Sequence, residues 1–285
     1  MRKALVLILS AVLTAAPLSL HGQESHYIEE PAHGAPQEGI HYITTFALIG
    51  ESDAPVRSFT YKYDTSRRIA LWVAYPLNAS LIGTGSRGEG WAPDPAVPED
   101  RQAILYKGFS YGSGYDRGHQ IPSADRLDPD ANAQTFRFTN ATPQLHDFNG
   151  GIWAELEKVV RTWAKRSDTL YVVTGCIPGE ETIEDNAGEN VTIPSAYYKA
   201  VLRLNRDKRG TPHWSACAVL LPHEVVEVKT WQQNLAFFKE HSLSLCELER
   251  LTGEVFYPNA ASAVGKTQLH EMKNTRPADT PWWWK

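Results

Sequence analysis

"NGGIWAELEKVVRTWAKR", Asn149 to Arg166, is the longest stretch of this 285-residue chain with a helical period. Ile152, Leu156, Val159, Val160 and Trp163 recur at three- and four-residue spacings and so share one face. Two shorter helices are predicted downstream, "VKTWQQNLAFFKEH" from Val228 and "SLSLCELERLTG" from Ser242, the second stopped by Gly253. Around them lie extended runs rich in Val, Ile, Tyr and Trp and bounded by Gly, Pro and Asp: "HYITTFAL" from His41, "RIALWVAYPL" from Arg68, "TLYVVTGC" from Thr169, "AYYKAVLRL" from Ala196 and "WSACAVLLP" from Trp214. Strands and helices that do not strictly alternate imply an α+β fold with a mostly antiparallel sheet and packed helices.

The first residues, "MRKALVLILSAVLTAAPLSLHGQ", have a basic start and an apolar run too short to span a bilayer, which is the pattern of a secretory signal. The chain therefore divides into a signal segment 1–23, a flexible lead-in 24–55, one catalytic domain 56–260 and a tail 261–285. This implies export to the periplasm or beyond the cell, with no membrane anchor. Cleavage after residue 23 would leave 26 Lys+Arg against 33 Asp+Glu, taking the formal charge from -5 to -7. A protein that holds nucleic acid tightly by counterion release is normally basic, so any phosphate chemistry here must rest on a local cationic site.

Cys176, Cys217 and Cys246 are an odd number, so at most one bridge can form within the chain, and the spacing does not choose it. No C-x-x-C supports a zinc ribbon. Cys217, inside "SACAVLLP", reads as a small buried hydrophobe. "GTGSRG", Gly83 to Gly88, matches a dinucleotide fingerprint letter for letter, but three prolines follow where a helix should open. The closing "PWWWK" could stack on bases, but docking on the protein's own core, or no structure, is the expectation. The triplets at Asn78, Asn140 and Asn190 are not read as glycosylation sites.

The chemistry concentrates in "YDRGHQIPSAD", Tyr115 to Asp125, and "FTNATPQLHDFNGGIWAELE", Phe138 to Glu157. A lone histidine in a polar loop is ordinarily solvated, and an Asp-Arg neighbour pair is ordinarily a surface ion pair. Hydrolysis of a phosphodiester, however, needs a base, for which histidine is suited near neutral pH. It also needs cations opposite the developing charge, a role that fits the planar forks of Arg117 and Arg87. Magnesium keeps most of its waters and takes one or two protein oxygens, so Asn149 alone could suffice, although Asn at a helix start is also a common cap. On an ideal helix Glu157 lies about 12 Å along the axis from Asn149 and roughly 80° around it, too far to share an ion directly.

These segments resemble the DNA/RNA non-specific endonuclease family, sugar-non-specific nucleases with a ββα-metal active site. The resemblance rests on Asp116-Arg117-Gly118-His119 and on Thr139, Asn140, Pro143, Gln144, Asn149, Trp153, Leu156 and Glu157 in family order. It extends to "YDTSRRIALWVAY", "YVVTG", "IPSAYYKAVL" and "ELERLTGEVFYP", from about Tyr61 to Pro258. It implies His119 as general base, Asn149 as the direct protein ligand of magnesium (manganese substituting), and Glu157 as the acid that orders the metal's water shell. Arg117 and Arg87 would hold phosphate, Asn140 would position, Asp116 would brace the loop, and Gly118 would let the backbone pass close by. The implied activity is cleavage of DNA and RNA with little sequence preference, leaving 5′-phosphate ends. Two other readings compete: a catalytically weak nucleic-acid-binding or uptake protein on the same fold, and a phosphodiesterase acting on small nucleotides.

Overall fold

The computed structural model describes residues 27–50, 52–106, 114–227 and 230–284. The strands are β1 (Ile40–Ala47), β2 (Val56–Asp64), β3 (Ile69–Leu77), β4 (Tyr115–His119), β5 (Ala141–Leu145), β6 (Thr169–Glu184), β7 (Asn190–Arg206), β8 (Pro212–Pro222) and β9 (Ser242–Leu243). Four helices precede β6: α1 (Ala79–Ile82), α2 (Pro129–Thr135), α3 (His146–Phe148) and α4 (Ala154–Lys165). Four follow: α5 (Trp231–Glu240), α6 (Leu245–Thr252), α7 (Ala261–Val264) and α8 (Lys266–Asn274). Seven strands form one antiparallel sheet in the order β1-β2-β3-β6-β7-β8-β9, while β4 and β5 pair separately. The fold is α+β, as the pattern of runs implies.

The central strands are apolar on both faces because both are covered. Val73, Tyr75, Val172, Tyr197, Val201 and Cys217 meet Trp153, Leu156, Val160 and Trp163 of the α4 region on one side. Trp72, Ala74, Val173, Tyr198, Ala200 and Ala218 meet Leu245, Leu248, Phe256, Tyr257 and Leu269 on the other. A strand with two buried faces shows a continuous apolar run rather than alternation. That is why β3, β6, β7 and β8 are conspicuous in sequence while β2, with Arg57, Lys62 and Asp64 among its residues, is less so. Capping boxes at Thr230/Gln233 and Ser244/Glu247 start α5 and α6, and Gly253, at φ 73°, ends α6 in the left-handed region.

The two segments that the sequence reading set outside the catalytic domain both pack on it. The segment taken as a lead-in, 24–55, contributes β1 to the sheet edge, and Glu29 and Glu30 are buried against Arg57. Its polar composition hides the docking because its charges are paired rather than solvated. The tail, 261–285, carries α7 and α8 and returns to the core. Trp283 is fully buried and lies 4.7 Å from Trp163 by ring centroids, and its carbonyl accepts from the Trp163 indole N–H at 3.1 Å. The tryptophan run therefore packs on the helix that follows Asn149. All three cysteines are free, Cys176 and Cys217 buried and Cys246 half-buried, so the apolar reading of Cys217 holds. No helix among the described residues is long and apolar enough to cross a membrane; segment 1–23 lies outside them.

Replacing Trp283 by Ala removes one of the largest buried side chains, and urea unfolding should show a loss of about 3 kcal/mol. A loss under about 0.5 kcal/mol, the range of a surface substitution, would mean that the tail is not part of the folded core.

Candidate active site

The two-stranded unit and the helix after it gather most of the residues singled out in sequence. In the β4–β5 ladder Asp116 faces Gln144, Gly118 faces Thr142 and His119 faces Ala141. The glycine of the motif is forced by this pairing: a Cβ on Gly118 would fall 2.2 Å from Gln144 Cδ. Both strands are short and polar and hold Gly118 and Pro143, so neither carries a strand signal in sequence.

The long connection between β4 and β5 is fastened by Asn140. Its Nδ2 donates to the carbonyls of Ile121 and Thr135 at 3.0 and 2.8 Å, and its Oδ1 accepts from the Ile121 N–H at 3.0 Å. With its amide committed to backbone and 2% exposed, Asn140 positions the segment after His119 and offers nothing to a ligand.

Asn149 is not the N-cap of a helix. Its backbone is already helical, and its Nδ2 donates to Asp116 Oδ2 at 2.9 Å. That bond fixes the amide so that Oδ1, which accepts nothing among the described residues, is the free end. Asp116 also faces His146 Nδ1 at 3.1 Å. Asn149–Trp153 forms a π turn in which Gly151 (φ -99°, ψ -115°) departs from helical geometry. The ideal-helix separation between Asn149 and Glu157 expected from sequence therefore does not apply. A π turn of this kind re-aims the residue at its start, a feature frequent at functional sites.

His119 sits between two aromatic rings, Trp91 at 4.7 Å and Phe136 at 5.0 Å. Backbone hydrogen bonds between Ala92 and Phe136, and between Phe138 and Ala92, hold those two rings at one place. Each ring also carries an arginine: the Arg117 guanidinium is 5.3 Å from the Trp91 centroid and that of Arg87 is 5.2 Å from Phe136. Gly85 makes the Arg87 loop possible, since a Cβ there would lie 2.1 Å from the Leu127 carbonyl oxygen. His119 Nε2 is sealed from solvent and has no hydrogen-bond partner among the described residues. Burial first, then Arg87 and Arg117, push its pKa down to about 3. The ring is a neutral base with a vacant lone pair or donor, facing two cations.

Glu157 lies among charges that sequence reading did not find. Arg161, one turn on, stands 3.9 Å from its carboxylate and donates to Asp125 at 2.9 Å; Asp125 also accepts from the Tyr75 hydroxyl at 2.9 Å. Lys199, 1% exposed, donates to Thr174 Oγ1 at 2.8 Å and lies 4.7 Å over the Trp153 ring. Burial raises the Glu157 pKa above the usual carboxylate range, while Lys199, Arg161 and Arg87 pull it back. The signal for Lys199 was a lysine inside the apolar run "AYYKAVLRL"; nothing in sequence linked it to Glu157.

Whether this set fits a metal can be asked of the donors themselves. No cluster of three His, Cys, Asp or Glu side chains that could hold an ion exists among the described residues. A cage of that kind, as at a structural zinc, is not built by the described residues. A hard cation takes few protein oxygens, and the oriented Oδ1 of Asn149 suits one.

A profile of the family described as DNA/RNA non-specific endonuclease matches residues 41–263. The chain belongs to that family. A nuclease of a Nostoc species is 33% identical over 211 residues, 72% of this chain and 73% of that protein. The mitochondrial nuclease EXOG of Mus musculus is 28% identical over 247 residues, 82% of this chain but 65% of that protein. The nuclease of Serratia marcescens is 31% identical over 208 residues, 69% of this chain and 71% of that protein. Among solved structures, the EndoG/EndoGI complex aligns with a TM-score of 0.55 at 21% identity, covering 70% of this chain and 83% of that one. Within this chain, β4, β5 and the turn that leads into α4 hold His119 and Asn149 in one ββα unit.

A ring held this far below the ordinary histidine value of about 6.5 has a clear signature. The His119 ring resonances should not titrate between pH 8 and pH 5, while those of exposed His146, raised by its hydrogen bond to Asp116 and by that carboxylate's charge, should titrate above 6.5. The unfolded chain protonates first, so His119 withdraws stability as pH falls from about 6.5 towards 3. A His119 titration near 6.5 in ring NMR spectra would contradict the burial argument.

Proposed function

We propose that this protein is an exported, magnesium-dependent endonuclease that hydrolyses phosphodiester bonds of DNA and RNA with little sequence preference. The observation that carries the reading is His119: a neutral imidazole whose Nε2 is buried without a partner, beside two arginines, in the same ββα unit as an asparagine whose oxygen is uncommitted. Export rests on the pattern of residues 1–23.

In this reading His119 accepts a proton from water through Nε2, and the resulting hydroxide attacks phosphorus in line. Arg117 and Arg87 bind the phosphate oxygens on which negative charge builds, through the planar forks of their guanidinium donors. A bound magnesium, held through Asn149 Oδ1, would supply positive charge at the phosphate and the departing 3′-oxygen. The bond from phosphorus to the 3′-oxygen breaks, the 3′-oxygen takes up a proton from solvent, and the products carry 5′-phosphate and 3′-hydroxyl ends. Asp116 keeps the Asn149 amide in its orientation, and Glu157, 3.9 Å from Arg161, contributes a carboxylate acceptor.

Supercoiled plasmid and a folded RNA should both be cut by the parent in magnesium and not in EDTA. His119→Ala should lose two or more powers of ten in rate, about the contribution of a general base. A variant that cuts as fast as the parent would remove His119 from the mechanism. A parent that touches neither polymer would favour a binding role for the fold.

A further inference from the structure

Strand β5 has one edge paired with β4, and its other edge forms no ladder with a strand among the described residues. On that open edge Pro143 has no N–H to satisfy, and its carbonyl accepts from the Tyr197 hydroxyl at 2.7 Å. Two residues on, the N–H of Leu145 donates to His223 Nε2 at 2.8 Å. The other nitrogen of the same ring, Nδ1, lies 2.8 Å from the carbonyl oxygen of Pro194 in β7. A ring that accepts from an N–H at Nε2 and reaches a carbonyl at Nδ1 can satisfy both only as the neutral tautomer with its proton on Nδ1. Phe148 and Tyr197 pack against it, each 5.1 Å away by ring centroids.

The clamped residues are the approach to Asn149. Leu145 ends β5, α3 occupies the next three positions and Phe148 immediately precedes Asn149. We propose that His223 is a positioning residue for Asn149: its ring takes the place of a missing neighbour strand, bridging β7 to the end of β5 and so setting where the following turn delivers the metal ligand. The proposal rests on the reading of Asn149 as that ligand.

The test compares His223→Leu, which keeps bulk but loses both bonds, with His223→Gln, which retains one acceptor and one donor. Manganese binding is read by electron paramagnetic resonance and folding by thermal melting, with Asn149→Ala alongside. Outer partners of a metal ligand are typically worth 10- to 100-fold in affinity, so folded His223→Leu should bind manganese about tenfold or more weakly, and His223→Gln should recover most of that loss. Parent-like binding by folded His223→Leu, or equal loss in a folded His223→Gln, overturns the proposal. Parent-like binding by Asn149→Ala instead overturns the ligand assignment on which it rests. Should the leucine variant not fold, ring nitrogen NMR of the parent decides: a proton on His223 Nδ1 supports the clamp, and one on Nε2 overturns it.

Discussion

The hydrogen bond from Asn149 Nδ2 to Asp116 is the constraint on which the site depends. It joins a strand to the start of a helix, and a charge-assisted bond of this kind is about twice as strong as a neutral one. Without it the amide of Asn149 could rotate and present nitrogen where oxygen is wanted. The π turn at Gly150 and Gly151 gives the chain freedom to bring Asn149 to Asp116. Asn140 and Gly118 fix the strand from the other side, the first by bracing the connection and the second by leaving space for Gln144.

Beneath this bond lies a set of buried charges. Isolated in a core, an ion costs several kcal/mol, and removing one partner of a buried pair typically costs about 3–5 kcal/mol. Asp125, Arg161, Glu157 and Lys199 are arranged so that each carboxylate has a cation and each cation has an acceptor or an aromatic face. The arrangement is not an efficient source of stability. Its effect is to hold Glu157, 15% exposed, at a defined place next to a helix face that is otherwise apolar.

The parts legible in sequence were those written in local pattern. The amphipathic face of α4, the stop of α6 at Gly253 and the apolar strands follow from spacing and turn chemistry, and His119, Arg117 and Asn149 stood out as residue types with a common chemical use. What was hidden depends on pairing across the chain. Strands β4 and β5 are each five residues long, and the intervening loop separates them by more than twenty residues. Trp91 and Phe136 flank His119 only because a bridge joins Ala92 to Arg137. The docking of Glu29 and Glu30 is visible only once Arg57 is seen to face them, since acidic residues without partners read as solvated.

The most direct test of the account is a double-mutant cycle between Asp116→Ala and Asn149→Ala, read as unfolding free energy in the absence of metal. If Asp116 orients Asn149, the two substitutions should couple by about 1–2 kcal/mol, the value of a hydrogen bond to a charged group in a partly buried setting. Additive effects within about 0.3 kcal/mol, as found for independent sites, would show that the bond does not hold the strand to the helix and would contradict the account.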